Sequence, residues 1–129
     1  MLDHISIPVT NLEQAAAFYD SVLGTLGMNR LKQRPGAIGY GPGSRRAPVF
    51  WLLSRQESGS AVPGIGLHIS FSASNRAMVD LFHTIALQHG GTDAGPPGER
   101  PEYTMPFYGA FVLDLDGYKI EAVCRTDQP

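Results

Sequence analysis

The sequence predicts an α+β fold made of two tandem βαβββ modules. Three observations carry this expectation. Sliding the chain by 64 positions lays Leu-Asp-His4-Ile-Ser-Ile over Gly-Leu-His68-Ile-Ser-Phe without a gap. The match continues with Asn11 over Asn75, Phe18 over Phe82, Leu23 over Leu87 and Gly27 over Gly91, giving seven identities in the 24 positions from His4 to Gly27. Within each copy the apolar pattern changes from a period of two to a helical period, as in a strand followed by an amphipathic helix. Near the C-terminus Asp116-Gly117 joins two β-rich runs, a strong hairpin signal.

Taken in order, residues 2–9 alternate, with Leu2, His4, Ser6 and Pro8 on one face and Asp3, Ile5, Ile7 and Val9 on the other. Thr10-Asn11 offers capping side chains, and Glu13 stands three residues beyond Thr10 as in a capping box. Ala15, Phe18, Tyr19, Val22 and Leu23 then recur at helical spacing until Gly24 and Gly27 stop the helix. Three strand-like runs follow: Met28–Gln33, Ala37–Gly41 and Pro48–Ser54. Gln56–Gly64, rich in Ser, Gly and Pro, reads as a linker. The second copy repeats the plan. A strand carries His68, Ser74-Asn75 caps a helix with the stripe Met78, Leu81, Phe82, Ile85 and Ala86, and Gly90-Gly91 end it. A short run near Thr92 precedes a Pro-rich loop, Gly95–Pro106, and the strands Tyr108–Leu115 and Lys119–Arg125 close the module. The chain is therefore one domain, with module 1 at about 1–56 and module 2 at about 64–126.

Composition excludes several function classes. The net charge of −2 lacks the basic footprint of a nucleic-acid binder. No apolar run approaches the roughly 18 residues of a membrane span. Met-Leu-Asp-His lacks the order of a secretory signal. One cysteine, Cys124, allows neither an internal disulfide nor a cysteine-based zinc knot. A small cytoplasmic protein is the expectation.

The repeat makes His4 and His68 equivalent. Each shares a strand face with a serine, Ser6 or Ser70, opposite a fully apolar face. If the apolar faces pack under the helices, both imidazoles point to the open side of the sheets. Neutral imidazole is the commonest side-chain metal ligand. The last strand adds Glu121, a carboxylate within the β run Lys-Ile-Glu-Ala-Val, where a charge needs a partner or a metal. Two histidines and one carboxylate form a known metal-binding set. On spacing alone, ordinary hydrogen-bonded strand residues are an equal reading.

The doubled module resembles the vicinal oxygen chelate superfamily, the glyoxalase/bleomycin resistance/dioxygenase family. The resemblance is carried by Leu-Asp-His4-Ile-Ser-Ile-Pro-Val, Ala-Phe18-Tyr19, Gly-Leu-His68-Ile-Ser-Phe and Tyr-Gly-Ala-Phe-Val-Leu-Asp-Leu-Asp-Gly-Tyr-Lys-Ile-Glu121-Ala-Val. It implies an incomplete barrel whose curved sheets form a cup around a divalent metal (Zn, Fe, Mn, Ni or Co). It further implies His4, His68 and Glu121 as metal ligands and a substrate chelated through adjacent oxygens, in isomerase, lyase or dioxygenase chemistry. The family's fourth ligand falls near Phe50, Trp51 or Leu52, none of which binds a metal. Family members of this length are commonly homodimers. The alternative within the same family is a metal-free, drug-sequestering protein of the bleomycin-resistance type.

Trp51, Tyr40, Phe107, Tyr103 and Tyr108 are candidates to line the cup, with core packing as the competing role. Arg100 and Tyr103, in the Pro-rich loop, are candidates for substrate contact, and Tyr103 also for catalysis, its hydroxyl offering a hydrogen bond to a substrate oxygen. Gly39-Tyr-Gly41-Pro-Gly43 opens no helix and is no phosphate loop.

Overall fold

The alternating pattern at the N-terminus forms strand β1 (Ile5–Pro8), followed by helix α1 (Leu12–Gly24) and strands β2 (Met28–Arg34), β3 (Ala37–Pro42) and β4 (Phe50–Leu53). The second set is β5 (His68–Ser72), α2 (Arg76–Gln88), β6 (Thr92–Glu99), β7 (Tyr108–Leu113) and β8 (Lys119–Cys124). The computed structural model describes residues 1–45, 47–55, 64 and 66–129. The predicted linker falls, apart from Gly64, outside them. Two compact units result, Met1–Val62 and Pro63–Pro129. Among the described residues each holds one four-stranded mixed sheet and one helix, so the α+β class and the two βαβββ modules stand as predicted.

In the first unit the sheet order is β1-β4-β3-β2, with β1 parallel to β4 and the other pairs antiparallel. The second unit repeats this as β5-β8-β7-β6, again with one parallel pair, β5–β8. In both units the first strand, which His4 precedes in one and His68 opens in the other, lies at an end of its sheet. Side-chain parity follows the sequence pattern. Ile7, Val9, Ile69 and Phe71 are buried, while His4, Ser6, His68 and Ser70 are exposed.

α1 buries Ala15, Ala16, Phe18, Tyr19, Val22 and Leu23, and the Tyr19 ring meets Phe50 at 5.0 Å. Fully burying side chains of this size contributes roughly 1.5–3 kcal/mol each. The cap differs from the predicted box: Asn11, not Thr10, is the N-cap and accepts from the Gln14 amide at 3.0 Å. Asn75 does the same for Met78 at 2.9 Å, so the two helices share one capping device. The stripe on α2 is also turned from the predicted one. Val79, Phe82 and Ala86 are buried, whereas Leu81 is exposed. At about 100° per residue Leu81 stands roughly 200° from Val79, on the far side of the helix.

β6 extends to Glu99 and takes in the first half of the segment predicted as loop. Its prolines are tolerated because β6 is an edge strand, and the pairing with β7 breaks register at Asp93/Gly95 and Gly95/Gly98. β1 and β4 are shorter than predicted, and His4 immediately precedes β1.

Candidate functional site

β8 forms one wall of a cleft in the second unit. Its even residues, Ile120, Ala122 and Cys124, are fully buried in the core. The alternate face carries Lys119, Glu121 and Val123, and Arg125 continues it just beyond the strand. All four line a cleft of about 580 Å³. The phase of the strand is set by the hairpin before it. Buried Asp114 accepts from the amides of Asp116 and Tyr118, each at 2.9 Å, and its own amide donates to the Tyr118 carbonyl at 2.8 Å. Gly117 completes the turn at φ +92°, a conformation that disfavours any side chain.

At the floor of the cleft, Glu121 is only 3% exposed. The pairing of β5 with β8 sets Ser70 opposite it. His68 Nε2 lies 3.3 Å from Glu121 Oε1, while Oε2 is buried without a hydrogen-bond partner. Burial pushes the Glu121 carboxyl above its ordinary range, against the opposing influence of a hydrogen bond from Ser70, the nearby His68 ring and Arg125. Gly109 gives the carboxylate its room, since a Cβ there would stand 3.3 Å from Oε2 and 2.9 Å from Phe107 Cε1.

These donors fit a divalent cation. Ligands about 2.1 Å from a metal are separated by about 3.0 Å at right angles and about 3.4 Å at tetrahedral angles, a range that includes the His68–Glu121 separation. The unpartnered Oε2 adds a second acceptor at the same carboxylate. One imidazole and one carboxylate suit Zn, Fe, Mn, Ni or Co. Within either unit, among the described residues, no three His, Cys, Asp or Glu side chains gather into a complete ligand set.

His4 belongs to the first unit. Its Nδ1 is 2.7 Å from Asp3 Oδ1, and this bond, with Arg45 nearby, holds the Asp3 carboxyl below its usual range. A carboxylate on Nδ1 fixes the ring and directs Nε2 outward, the arrangement commonly found behind metal-binding histidines. Strand register also relates the two units. Ser6 pairs with Trp51 as Ser70 pairs with Glu121, so Trp51 is the first-unit counterpart of the second-unit carboxylate. Arg34 stacks over the Trp51 ring at 5.9 Å, and Gly39, paired with Trp51, leaves space for it.

Tyr103 lines the cleft, is half-exposed, and packs against Phe107 with ring centroids 4.8 Å apart and planes tilted by 59°. Arg100 is not among the lining residues. Its guanidinium donates to the Pro96 carbonyl at 2.6 Å and covers Phe111 at 5.8 Å, and its amide donates to the Phe107 carbonyl, bracing the loop that presents Tyr103. Tyr108 sits on the opposite face of β7, where its hydroxyl donates to Asp80 of α2 at 2.6 Å under Arg76. Tyr40 is wholly buried and donates to Asp20 at 2.8 Å, so it is a core residue. Phe111, Lys119 and Arg125, passed over in the sequence, all face the cleft. Counting by twos from Glu121 along β8 would have found both cations.

The chain belongs to the Glyoxalase/Bleomycin resistance protein/Dioxygenase superfamily, whose model matches residues 1–122. It is 31% identical to the lactoylglutathione lyase of Escherichia coli, over 96% of this chain and 92% of that protein. The lactoylglutathione lyase of Salmonella typhimurium matches at the same identity and coverage. Among solved structures, a glyoxalase/bleomycin resistance protein from Albidiferax ferrireducens superposes with a TM-score of 0.84 at 31% identity, covering 96% of this chain and 98% of that one.

Proposed function

We propose that this protein is a divalent-metal-dependent enzyme acting on a small oxygen-rich substrate held through adjacent oxygens. The observation that carries the reading is the buried Glu121 carboxylate, with His68 at 3.3 Å and one oxygen lacking a partner, on the floor of an open cleft. A charge buried this deeply is costly unless something compensates it. In the second unit His68 and Glu121 hold the ion, and in the first the family resemblance assigns His4, braced by Asp3, as a metal ligand. The chemistry such an ion supplies when bound is Lewis-acid stabilisation of negative charge on substrate oxygens, which isomerase, lyase and dioxygenase reactions all draw on. Phe107 and Phe111 exclude water from one side of the cleft, and the Tyr103 hydroxyl donates a hydrogen bond to a substrate oxygen. Trp51 in place of a fourth ligand separates this site from the four-ligand pattern of glyoxalase I. The protein is cytoplasmic, and it is a homodimer, as family members of this length commonly are.

One specific feature favours the metal-free, ligand-sequestering alternative: Trp51 gives the first unit an aromatic face where a carboxylate would stand. Metal analysis of the purified protein decides between the two. About one divalent ion per chain is expected, with loss of most of it in His68→Ala and Glu121→Gln. Full occupancy in the double variant, or no uptake of Zn, Mn, Fe, Ni or Co by the wild type, overturns the metal reading.

A further inference from the structure

The cleft carries two cations for which the proposed metal has no use. Lys119 and Arg125 share the cleft face of β8 with Glu121, two residues before it and four after, or about 7 and 13 Å along a strand. Neither makes an ion pair among the described residues. Each is instead held over an aromatic ring: Lys119 Nζ lies 4.8 Å from the Phe111 centroid, and the Arg125 guanidinium lies 4.8 Å from that of Phe107. Arg125 also donates to the Thr104 carbonyl at 2.7 Å, which fixes the guanidinium while leaving most of its donors unused. The lining charges otherwise comprise Glu102 and Glu121, so the protein alone is balanced. A divalent ion at Glu121 leaves the cleft at +2, an excess that an anionic ligand neutralises.

We propose that Lys119 and Arg125 are specificity residues that select a substrate bearing a carboxylate on an aromatic or other apolar body. The exposed Tyr103 ring and Val123 border the space for the body, and the Arg125 fork pairs with the carboxylate. A phosphate is the poorer fit. The lining consists of strand and loop side chains, and no helix N-terminus contributes to it. The metal of the previous section supplies the excess charge in this account, so the inference rests on that reading, yet its test separates the two.

The probes are 3,4-dihydroxybenzoate and 3,4-dihydroxybenzamide, which share their adjacent oxygens and differ in charge. Calorimetric titration of the metal-loaded protein is expected to show the carboxylate binding about ten-fold tighter, as one charge-assisted pair provides. Arg125→Gln and Lys119→Gln should each reduce that ratio several-fold, the double variant should bring it near one, and metal content should stay unchanged in all three. Equal affinity for both probes in the wild type, or a ratio that survives the double variant, overturns the proposal, as does an absence of measurable carboxylate binding. Repeating the titration after chelation isolates the metal's part. A ratio that persists without metal supports the cationic pair by itself, whereas loss of metal in the variants assigns Lys119 and Arg125 to the ion site and overturns their role in selection.

Discussion

At the scale of single residues, the site depends on small side chains as much as on chemical ones. Gly109 is the clearest case, because any Cβ there meets Phe107, the Ala122 carbonyl and Glu121 Oε2 at 2.9 to 3.3 Å. Gly109→Ala is expected to cost about 1–3 kcal/mol in urea unfolding, as overpacking does, and to lower metal affinity by displacing the carboxylate. Wild-type stability in this variant would show that Phe107 swings aside freely. The pairing of His68 with Glu121 was legible because the repeat singles out His68 and because a carboxylate interrupts an apolar strand. Trp51 was legible as the counterpart of Glu121 only as one of three neighbours, Phe50, Trp51 and Leu52. His68 follows His4 by 64 positions, but Glu121 follows Trp51 by 70, so the second module carries six extra residues between equivalent strands. Only backbone pairing reveals the match.

At the scale of elements, the two helices begin on the same device, an asparagine accepting from the amide three residues on. Asn75→Ala is expected to destabilise the protein by about 1 kcal/mol and Ser74→Ala by much less, measured as urea midpoints. Equal losses would mean that Ser74 shares the cap. Cap position was only half legible, since Thr10-Asn11 and Ser74-Asn75 each present two capping side chains and the choice depends on backbone angles at the junction. The stripe on α2 was misread for a related reason. Its apolar residues span a wide arc, and burial against the sheet, not periodicity, selects Val79 over Leu81. The extension of β6 from the run near Thr92 to Glu99 escaped detection because prolines argue against a strand, an argument that loses force at a sheet edge.

At the scale of the whole molecule, each unit carries a carboxylate held below its ordinary range. Asp20 in the first accepts two hydrogen bonds from Arg30 and one from Tyr40. Asp93 in the second accepts from His83 and from the Gly95 amide. For such groups the folded state binds protons less readily than the unfolded chain, so their contribution is present above the unfolded value of 3.8 and is lost as pH falls through the lower folded values. Glu121, shifted upward, acts in the opposite sense. In a Glu121→Gln background, thermal midpoints are expected to fall as pH drops below 3.8, and the slope should flatten when Asp20→Asn and Asp93→Asn are added. An unchanged slope would place the acid sensitivity elsewhere. The fold class itself was legible because duplication wrote every element twice, so a weak signal in one copy was supported by its partner.

The hairpin from Asp114 to Tyr118 acts as a reading frame for everything after it. Deleting one residue there would exchange the two faces of β8. Ile120, Ala122 and Cys124 would turn toward the cleft, and Lys119, Glu121 and Arg125 would turn into the core together. A slip in this turn therefore cannot erode the cleft's chemistry by degrees, and descendants of this chain can vary Lys119, Glu121 and Arg125 singly only while the turn keeps its length.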